Sequence, residues 1–181
     1  VNMIFMSFVI GISQGIQPII GFNYGAAKYT RVRKTYLLAL ATATALSLIA
    51  FACFQLFPSQ IIGVFGKGSE LYFQFSERYF RIYMFLTLIN GIQPVTSNFF
   101  NSIGKSSLGV FMSLTRQILF LLPLIIVFPL FMGIDGIMYA GPIADAATGI
   151  VCGIFTIREL KELKTLSYTS ESAVAASGSA D

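Results

Sequence analysis

The sequence predicts an all-α integral membrane protein with five transmembrane helices. Of its 181 residues, 55% are hydrophobic and 11% are charged, whereas charged residues make up about a quarter of a typical soluble domain. The mean hydropathy is +0.76. Crossing a hydrocarbon core takes about 20 mostly apolar residues. The segments that qualify, in order spans one to five, are Val1–Tyr24, Thr35–Phe57, Ile82–Ile103, Leu108–Met132 and Ile137–Ile157.

Span one contains a proline, Pro18, inside an apolar run that has no charged residue before Lys28. Proline cannot donate its amide and its ring crowds the preceding turn, so we expect a helix break at Pro18. In a membrane, such a break persists only where neighbouring helices or a wet cavity satisfy the freed carbonyl group. Because the chain begins at Val1 inside this span, we expect a longer protein to precede it.

Span two follows a cluster of four cations, and it contains Cys53, while span five contains Cys152. Two thiols without further ligands are typical of packing residues. The chain has no His, which removes Ser-His-Asp and Cys-His catalytic systems and most zinc sites. We therefore expect no catalytic residue, no metal site, no cofactor and no enzymatic activity.

Span three repeats the proline motif of span one. The run Gly91-Ile92-Gln93-Pro94 matches Gly15-Ile16-Gln17-Pro18, and odd-numbered spans run in the same direction. The sequence therefore predicts a second helix break at Pro94. Broken helices of this kind are typical of transport sites, although a packing kink shared by two helices gives the same pattern.

Polar side chains follow one face of each of these two helices. Steps of three and four residues from Tyr83 trace a polar face along span three, and a weaker one runs along span one. Such stripes suit either hydrogen bonds between helices, each worth about 0.6 to 2 kcal/mol, or the lining of a water-filled chamber. The sequence leaves both interpretations open. The candidate chamber residues are Met6, Gln17, Tyr83, Met84, Thr87, Asn90 and Gln93.

Spans four and five each contain one charged residue, Arg116 and Asp145. A carboxylate in mid-membrane costs about 2.5 to 3.5 kcal/mol on insertion scales, so Asp145 is expected to have a partner or a task. Arg116 lies about 12 Å along its helix, and its long stem can reach back to the membrane surface. Because Asp145 is counted from the opposite surface, we predict different depths for the two charges and no ion pair.

Pairs of glycines four residues apart predict close helix packing seams. The pairs are Gly11 and Gly15, Gly21 and Gly25, and Gly149 and Gly153.

Lys and Arg are concentrated on one side of the predicted bundle, in the links after spans one and three and in the segment after span five. Cytoplasmic loops hold such an excess, so we expect the chain to end in the cytoplasm. The net charge of +4 suits an anionic inner leaflet, and we do not expect nucleic-acid binding. Residues 1–166 are predicted to form the transmembrane bundle, and residues 167–181 a disordered cytoplasmic tail.

These motifs resemble the multidrug and toxic compound extrusion (MATE) family. Residues 15–26, which end in Asn-Tyr-Gly-Ala and are followed by Arg31, are similar to the signature of the eighth helix of that family. Residues 90–105 resemble its tenth helix, and residues 136–145 the entry to its twelfth. The resemblance extends to about Leu166 and is strongest to the MepA-like bacterial branch.

The resemblance implies that the five spans correspond to helices eight to twelve of a twelve-helix antiporter with two lobes. The seventh helix and the whole amino-terminal lobe would complete the protein, with a substrate chamber between the lobes. Members of the family are multi-pass proteins of the plasma membrane, here a bacterial inner membrane. They export cationic, amphipathic small molecules in exchange for sodium ions or protons. The implied partners are those molecules, the lipid bilayer and the missing lobe.

One position departs from the sodium-coupled branch of the family, which has an acidic residue where this chain has Asn90. A carboxylate binds a cation, whereas an amide only assists. We therefore expect the coupling ion, sodium or proton, to bind in the amino-terminal lobe. Two alternatives stay open: a lipid-linked oligosaccharide flippase of the same superfamily, and a truncated membrane fragment that does not transport. A flippase would favour a strongly cationic chamber, which uncharged stripes do not provide.

Overall fold

The computed structural model describes residues 2–65, 76–78, 80–82 and 87–177, and the regular elements among them are all helical. The prediction of an all-α fold is confirmed. The elements are α1 (Asn2–Gly25), α2 (Tyr29–Leu56), α3 (Pro58–Phe65), α4 (Thr87–Asn90), α5 (Ile92–Ser102), α6 (Ser106–Leu114), a π-helical segment (Thr115–Leu121), α7 (Leu122–Met132) and α8 (Ile134–Ser177).

Helices long and apolar enough to cross a membrane occur at four of the five predicted spans. Within the described ranges they are Met3–Gly25, Tyr29–Leu56, Ser106–Phe131 and Tyr139–Thr169, which correspond to spans one, two, four and five. Span three lies partly outside the described residues, and its described part is divided into α4 and α5. Because α5 has 11 residues, it is too short to cross a hydrocarbon core alone. Among the described residues, four helices of spanning length are therefore found instead of the predicted five, and span three is the exception.

The helices pack around a shared core, and α5 contributes several buried side chains to it. α1 contacts α2 and α5, α5 also contacts α6, and α7 contacts α8. Tyr36 of α2 is fully buried, and its hydroxyl lies 3.1 Å from Thr96 Oγ1 and 3.0 Å from Thr156 Oγ1. Its ring packs on Phe99, with 4.1 Å between the ring centroids. This tyrosine therefore joins α2, α5 and α8.

Large apolar side chains cover the outside of the bundle as well as its interior. Phe22 is 75% exposed, Leu38 is 68% exposed and Leu130 is 78% exposed. An exterior of this kind suits hydrocarbon, because lipid chains do not penalise apolar exposure. The chain therefore has the surface of a multi-pass membrane protein.

The two proline motifs have different backbone structures. The predicted helix break at Pro18 is not found, because α1 continues through Pro18 to Gly25. The second motif is interrupted at Gly91, three residues before Pro94. Pro94 has no N–H for the carbonyl four residues before it, which belongs to the last residue of α4. The turn at Gly91 lies against α2, since a Cβ atom there would be 2.6 Å from Ser47 Oγ.

The predicted glycine seams differ from the close contacts that the helices make. A Cβ atom added at Gly11, Gly15, Gly25 or Gly153 would meet nothing within 4 Å among the described residues. These four positions are not packing seams there, and the prediction is wrong for them. Gly149 does approach a neighbour, Ile89 of α4.

The predicted cationic links lie at one end of the bundle, as the sequence indicates. Lys105, between α5 and α6, donates to Glu159 Oε1 at 2.8 Å and Glu162 Oε2 at 3.0 Å on α8. The start of α2 and the same part of α8 line one cavity. Burial lowers the pKa of the Lys105 ammonium, but hydrogen bonds from it to the two glutamates, and their charges, outweigh burial. The pKa of Lys105 is therefore raised above its usual value.

The last helix extends further than the sequence indicates. α8 continues to Ser177, so residues 167–177 are helical where the composition predicts a disordered tail. A helix that already exists is extended at little cost, because only its first turn must be nucleated. Alanine and glutamate, which occur in this stretch, are also strong helix formers. Residues 178–181 lie outside the described part of the chain.

Candidate functional site

Two charged side chains meet inside the bundle. Asp145 of α8 is 5% exposed, and Arg116 Nε of the π-helical segment donates a hydrogen bond to Asp145 Oδ1 at 2.5 Å. The predicted separation of these charges is therefore wrong. A hydrocarbon core is about 30 Å thick, and a depth of about 12 Å from each surface leaves about 6 Å between the two charges. A long arginine side chain can cover that distance.

Asn90 completes a charge cluster that we define as Arg116, Asp145 and Asn90. Asn90 is buried at the end of α4, and its side chain interacts with the Asp145 carboxylate. A buried ion pair is tolerated when further hydrogen bonds satisfy its remaining polar atoms. The cluster places one carboxylate beside a guanidinium and an amide.

Arg116 lies in the π-helical segment Thr115–Leu121, where the α-helical hydrogen bonding of span four is interrupted. Pro123 follows this segment and has no N–H for the carbonyl four residues earlier. The N–H of Leu122 instead donates to the carbonyl of Gln117, five residues earlier. Such widened turns occur frequently at functional sites. In the sequence, the signal for this π-helical segment was Pro123 inside span four.

A chain of side-chain hydrogen bonds joins α1 to α5. Gln17 Nε2 donates to Asn98 Oδ1 at 2.9 Å, and Asn98 Nδ2 donates to Ser13 Oγ at 2.7 Å. Ser13 is fully buried. The predicted polar face of α1 thus makes interhelical hydrogen bonds, but to Asn98, which lies beside the predicted polar face of span three and not on it. Sequence analysis missed Asn98 as the centre of this chain, although it lies one turn after Pro94.

The predicted polar face of α5 lies against α6 instead. Ser97 Oγ donates to the carbonyl of Gly109 at 2.7 Å. Gln93 is half-buried, and its Nε2 lies 3.4 Å from the carbonyl of Met112, a long hydrogen bond. α6 approaches closely here, because a Cβ atom at Gly109 would lie 2.8 Å from the Ser97 carbonyl.

The predicted chamber residues do not form one group in the described part of the chain. Asn90 belongs to the charge cluster, while Gln17 belongs to the hydrogen-bond chain and Met6 is half-buried against the core. Tyr83 and Met84 lie outside the described residues, and for Thr87 only the helical backbone is described.

α1 also has an exposed polar face that sequence analysis missed. Ser7, Gln14 and Pro18 are exposed, and spacings of seven and four residues place them on one face of a helix. Pro18 leaves the Gln14 carbonyl without an N–H partner one turn later. Unpaired backbone groups are not tolerated against lipid, so this face suits contact with protein or water. The sequence signal for this exposed face was a glutamine, Gln14, four residues before a proline, Pro18.

Among the described residues, no three His, Cys, Asp or Glu side chains lie close enough together to hold a metal ion.

Comparison with known proteins identifies the family. The MatE family model matches residues 1–127. The chain is 36% identical to the MATE multidrug transporter DinF-BH, solved in complex with rhodamine 6G, with a TM-score of 0.80 over 86% of this chain and 35% of that one. None of the curated proteins matches the chain.

Two more distant structures share the fold. An outward-facing multidrug resistance MATE family transporter of the MOP superfamily is 18% identical, with a TM-score of 0.82 over 91% of this chain and 37% of that one. An inward-facing one is 17% identical, with a TM-score of 0.80 over 90% and 38%. The chain thus spans just over a third of the length of the transporters that it matches. It belongs to the MatE family of membrane transporters.

Proposed function

We propose that the chain forms the carboxy-terminal lobe of a secondary active antiporter that exports cationic or amphipathic drugs in exchange for sodium ions or protons. The observation that carries this proposal is the 36% identity, over 86% of this chain, to a MATE multidrug transporter in complex with rhodamine 6G. Because this chain covers 35% of that transporter, export is an activity of the complete protein, in which an amino-terminal lobe supplies the other half of the chamber.

We also propose that the cation-rich end of the bundle faces the cytoplasm of a bacterial cell, with the helices in the inner membrane. The excess of Lys and Arg at that end supports this orientation. Within the family, assignment to the MepA-like branch depends on the motif resemblance.

The proposed chamber contains the candidate residues on α1 and on span three, together with the exposed polar face of α1. Gln17 and Gln93 are half-buried, so each residue is partly accessible from outside this bundle. Gln14 is exposed on the proline-containing face. Asn90 is buried and would act on the chamber through the Asp145 carboxylate.

The test is efflux of rhodamine 6G from cells that express the complete protein. Gln14→Ala, Gln17→Ala, Asn90→Ala and Gln93→Ala are each expected to lower the efflux rate or change the substrate profile. A lost polar contact of about 1 kcal/mol corresponds to an affinity change of about fivefold. Efflux is compared at equal expression.

The matched control is Thr42→Ala. Thr42 is exposed on α2, and its hydroxyl donates only to the carbonyl of Leu38 in its own helix at 2.9 Å, so its loss should leave efflux unchanged. Unchanged efflux of the dye in all four amide variants would contradict the chamber assignment.

We propose that the coupling ion binds in the amino-terminal lobe. The ion pair of Asp145 with Arg116 supports this, because the carboxylate already has a cationic partner. Transport in vesicles with an imposed sodium gradient, compared with an imposed pH gradient, identifies the ion. If Asp145→Asn alone abolishes the response to that gradient while rhodamine 6G still binds, the coupling site lies in this chain instead.

A further inference from the structure

We propose that the cation-rich end of the bundle binds an anionic phospholipid, whose headgroup phosphate lies in a cavity between α2 and α8. This inference does not depend on drug export. The cavity has a volume of about 640 Å³ and lies between the first turns of α2 and the charged part of α8. Its polar lining residues used below are Thr30, Arg33, Lys34, Lys164 and Tyr168.

The lining has three positive charges and no negative one. Arg33, Lys34 and Lys164 are exposed, and none of them forms an ion pair with a described residue. Lys105 at the same end differs, because Glu159 and Glu162 neutralise it. The cavity therefore has an uncompensated charge that complements a phosphate.

Aromatic and hydroxyl groups surround these cations. Lys164 Nζ lies 5.9 Å from the centre of the Tyr168 ring, and the Thr30 hydroxyl is on the same face of α2 as Lys34, one turn earlier. Tyrosine is a typical side chain of the membrane interface, where one edge is wet and the other is apolar. These groups add hydrogen-bond donors for phosphate oxygens and place the cavity at headgroup level.

The deeper side of the cavity is apolar, which distinguishes a lipid site from a site for free phosphate. Leu37 and Leu38 line it one turn beyond Arg33 and Lys34, and one turn is about 5.4 Å along the helix. Leu38 is 68% exposed. Cations followed one turn deeper by exposed leucines match a phosphate followed by the start of an acyl chain.

A second cavity continues this apolar surface on the other side of Lys34 and Leu38. It has a volume of about 390 Å³ and is also lined by Ile19 and Arg31. Ile19 is 49% exposed. The two cavities provide one apolar path on each side of Leu38, as a phospholipid with two acyl chains requires.

The test is lipid binding to the complete protein in detergent, measured by native mass spectrometry. The probes are phosphatidylglycerol, phosphatidylcholine and water-soluble glycerol phosphate. We expect phosphatidylglycerol to bind most tightly. Each Lys near a membrane surface contributes about fivefold in affinity, so Lys34→Gln combined with Lys164→Gln should weaken phosphatidylglycerol binding about 25-fold.

Arg158→Gln combined with Lys161→Gln is the matched control. Both residues are exposed cations on α8 that lie outside the lining, so this pair should change binding by less than about twofold. Leu38→Asn keeps all the cations and should weaken the lipid but not glycerol phosphate. Thermal unfolding of each variant confirms that it is folded.

Three results would overturn the proposal. The first is that the control pair loses as much phosphatidylglycerol binding as Lys34→Gln combined with Lys164→Gln. The second is that phosphatidylcholine binds as tightly as phosphatidylglycerol. The third is that glycerol phosphate displaces the lipid at equal concentration. Absence of any phosphatidylglycerol binding to the complete protein would also overturn it, since the amino-terminal lobe would then fill the cavity.

Discussion

At the scale of single residues, the neighbours of Asp145 replace the water that its carboxylate loses on burial. A buried carboxylate loses its hydration, and only excellent geometry with additional hydrogen bonds compensates for that loss. Arg116 supplies the opposite charge at 2.5 Å, and Asn90 supplies an amide. Losing one partner leaves an unpaired charge, so it costs more than losing both charges together.

A double-mutant cycle tests this coupling. Arg116→Met and Asp145→Leu are each expected to lower the free energy of unfolding by about 3 to 5 kcal/mol, the usual cost of breaking a buried pair. The double variant should lose less than either single variant, so the coupling energy should exceed about 3 kcal/mol. The measurement is denaturant unfolding of the complete protein in detergent.

The control for this cycle is Arg158→Met, because Arg158 is exposed on the same helix as Asp145. Its effect should stay within about 0.5 kcal/mol. Strictly additive single effects would show that the ion pair contributes no coupling.

At the scale of helices, one sequence motif is used in two ways. Pro18 and Pro94 each release the carbonyl four residues earlier, which belongs to Gln14 in α1 and to Asn90 in α4. Gln14 is exposed, whereas Asn90 is buried beside Asp145. The repeat therefore predicts where carbonyl groups are released, and the surroundings of each helix decide what those groups contact.

The break at Gly91 leads to a rescue experiment. A Cβ atom there would lie 2.6 Å from Ser47 Oγ, a buried hydroxyl that has no hydrogen-bond partner among the described residues. Gly91→Ala is therefore expected to lower the free energy of unfolding by about 1 to 3 kcal/mol, the usual cost of overpacking. Adding Ser47→Ala removes the clashing oxygen and should restore most of that loss.

Gly153→Ala is the matched control for the rescue, because its Cβ atom would meet nothing within 4 Å. Inside a helix, alanine is favoured over glycine by about 1 kcal/mol, so this variant should be neutral or stabilised. If Ser47→Ala does not rescue Gly91→Ala, the clash with the Ser47 hydroxyl is not the cause of the loss.

At the scale of the whole molecule, the ion pairs of Lys105 hold the loop between α5 and α6 against α8. Lys105→Met would leave Glu159, whose side chain is 6% exposed, without its cation. We expect the free energy of unfolding to fall by about 1 to 3 kcal/mol, the cost of an unsatisfied buried group. Lys105→Arg should retain most of the stability, because it keeps the charge.

The stability that the Lys105 ion pairs contribute depends on pH, because the pKa of Lys105 is raised in the folded protein. A lysine whose pKa is higher in the folded state stabilises the fold fully below its unfolded pKa of about 10.4. That contribution is lost as the pH rises through the folded value. The stability difference between the unmodified protein and Lys105→Met should therefore be constant from about pH 7 to 9 and shrink above about pH 10.4.

Denaturant unfolding at a series of pH values measures this difference. The prediction would be contradicted if this stability difference already shrank near pH 8. It would also be contradicted if the difference stayed undiminished well above the folded pKa of Lys105.

Sequence reasoning predicted the helices better than their contacts. Four spans are found at their predicted places in the chain, because about 20 apolar residues in a row have few alternatives. Their bounds differ most where the helix of span two begins at Tyr29 and that of span five continues to Thr169. The Arg116–Asp145 pair was missed, since counting residues from each surface ignores the length of an arginine side chain. Gln17 was recognised as a polar candidate, but its partner Asn98 was not, because each stripe was analysed on its own helix.

The helical membrane class, the placement of the cations at one end and the family all follow from the order of the amino acids. They depend on composition, on charge spacing and on short motifs, which are local properties of the chain. Which polar groups pair, such as Gln17 with Asn98 and Arg116 with Asp145, depends on packing. Such pairs require two distant helices to match in rotation and depth, and the periodicity of neither helix contains that information.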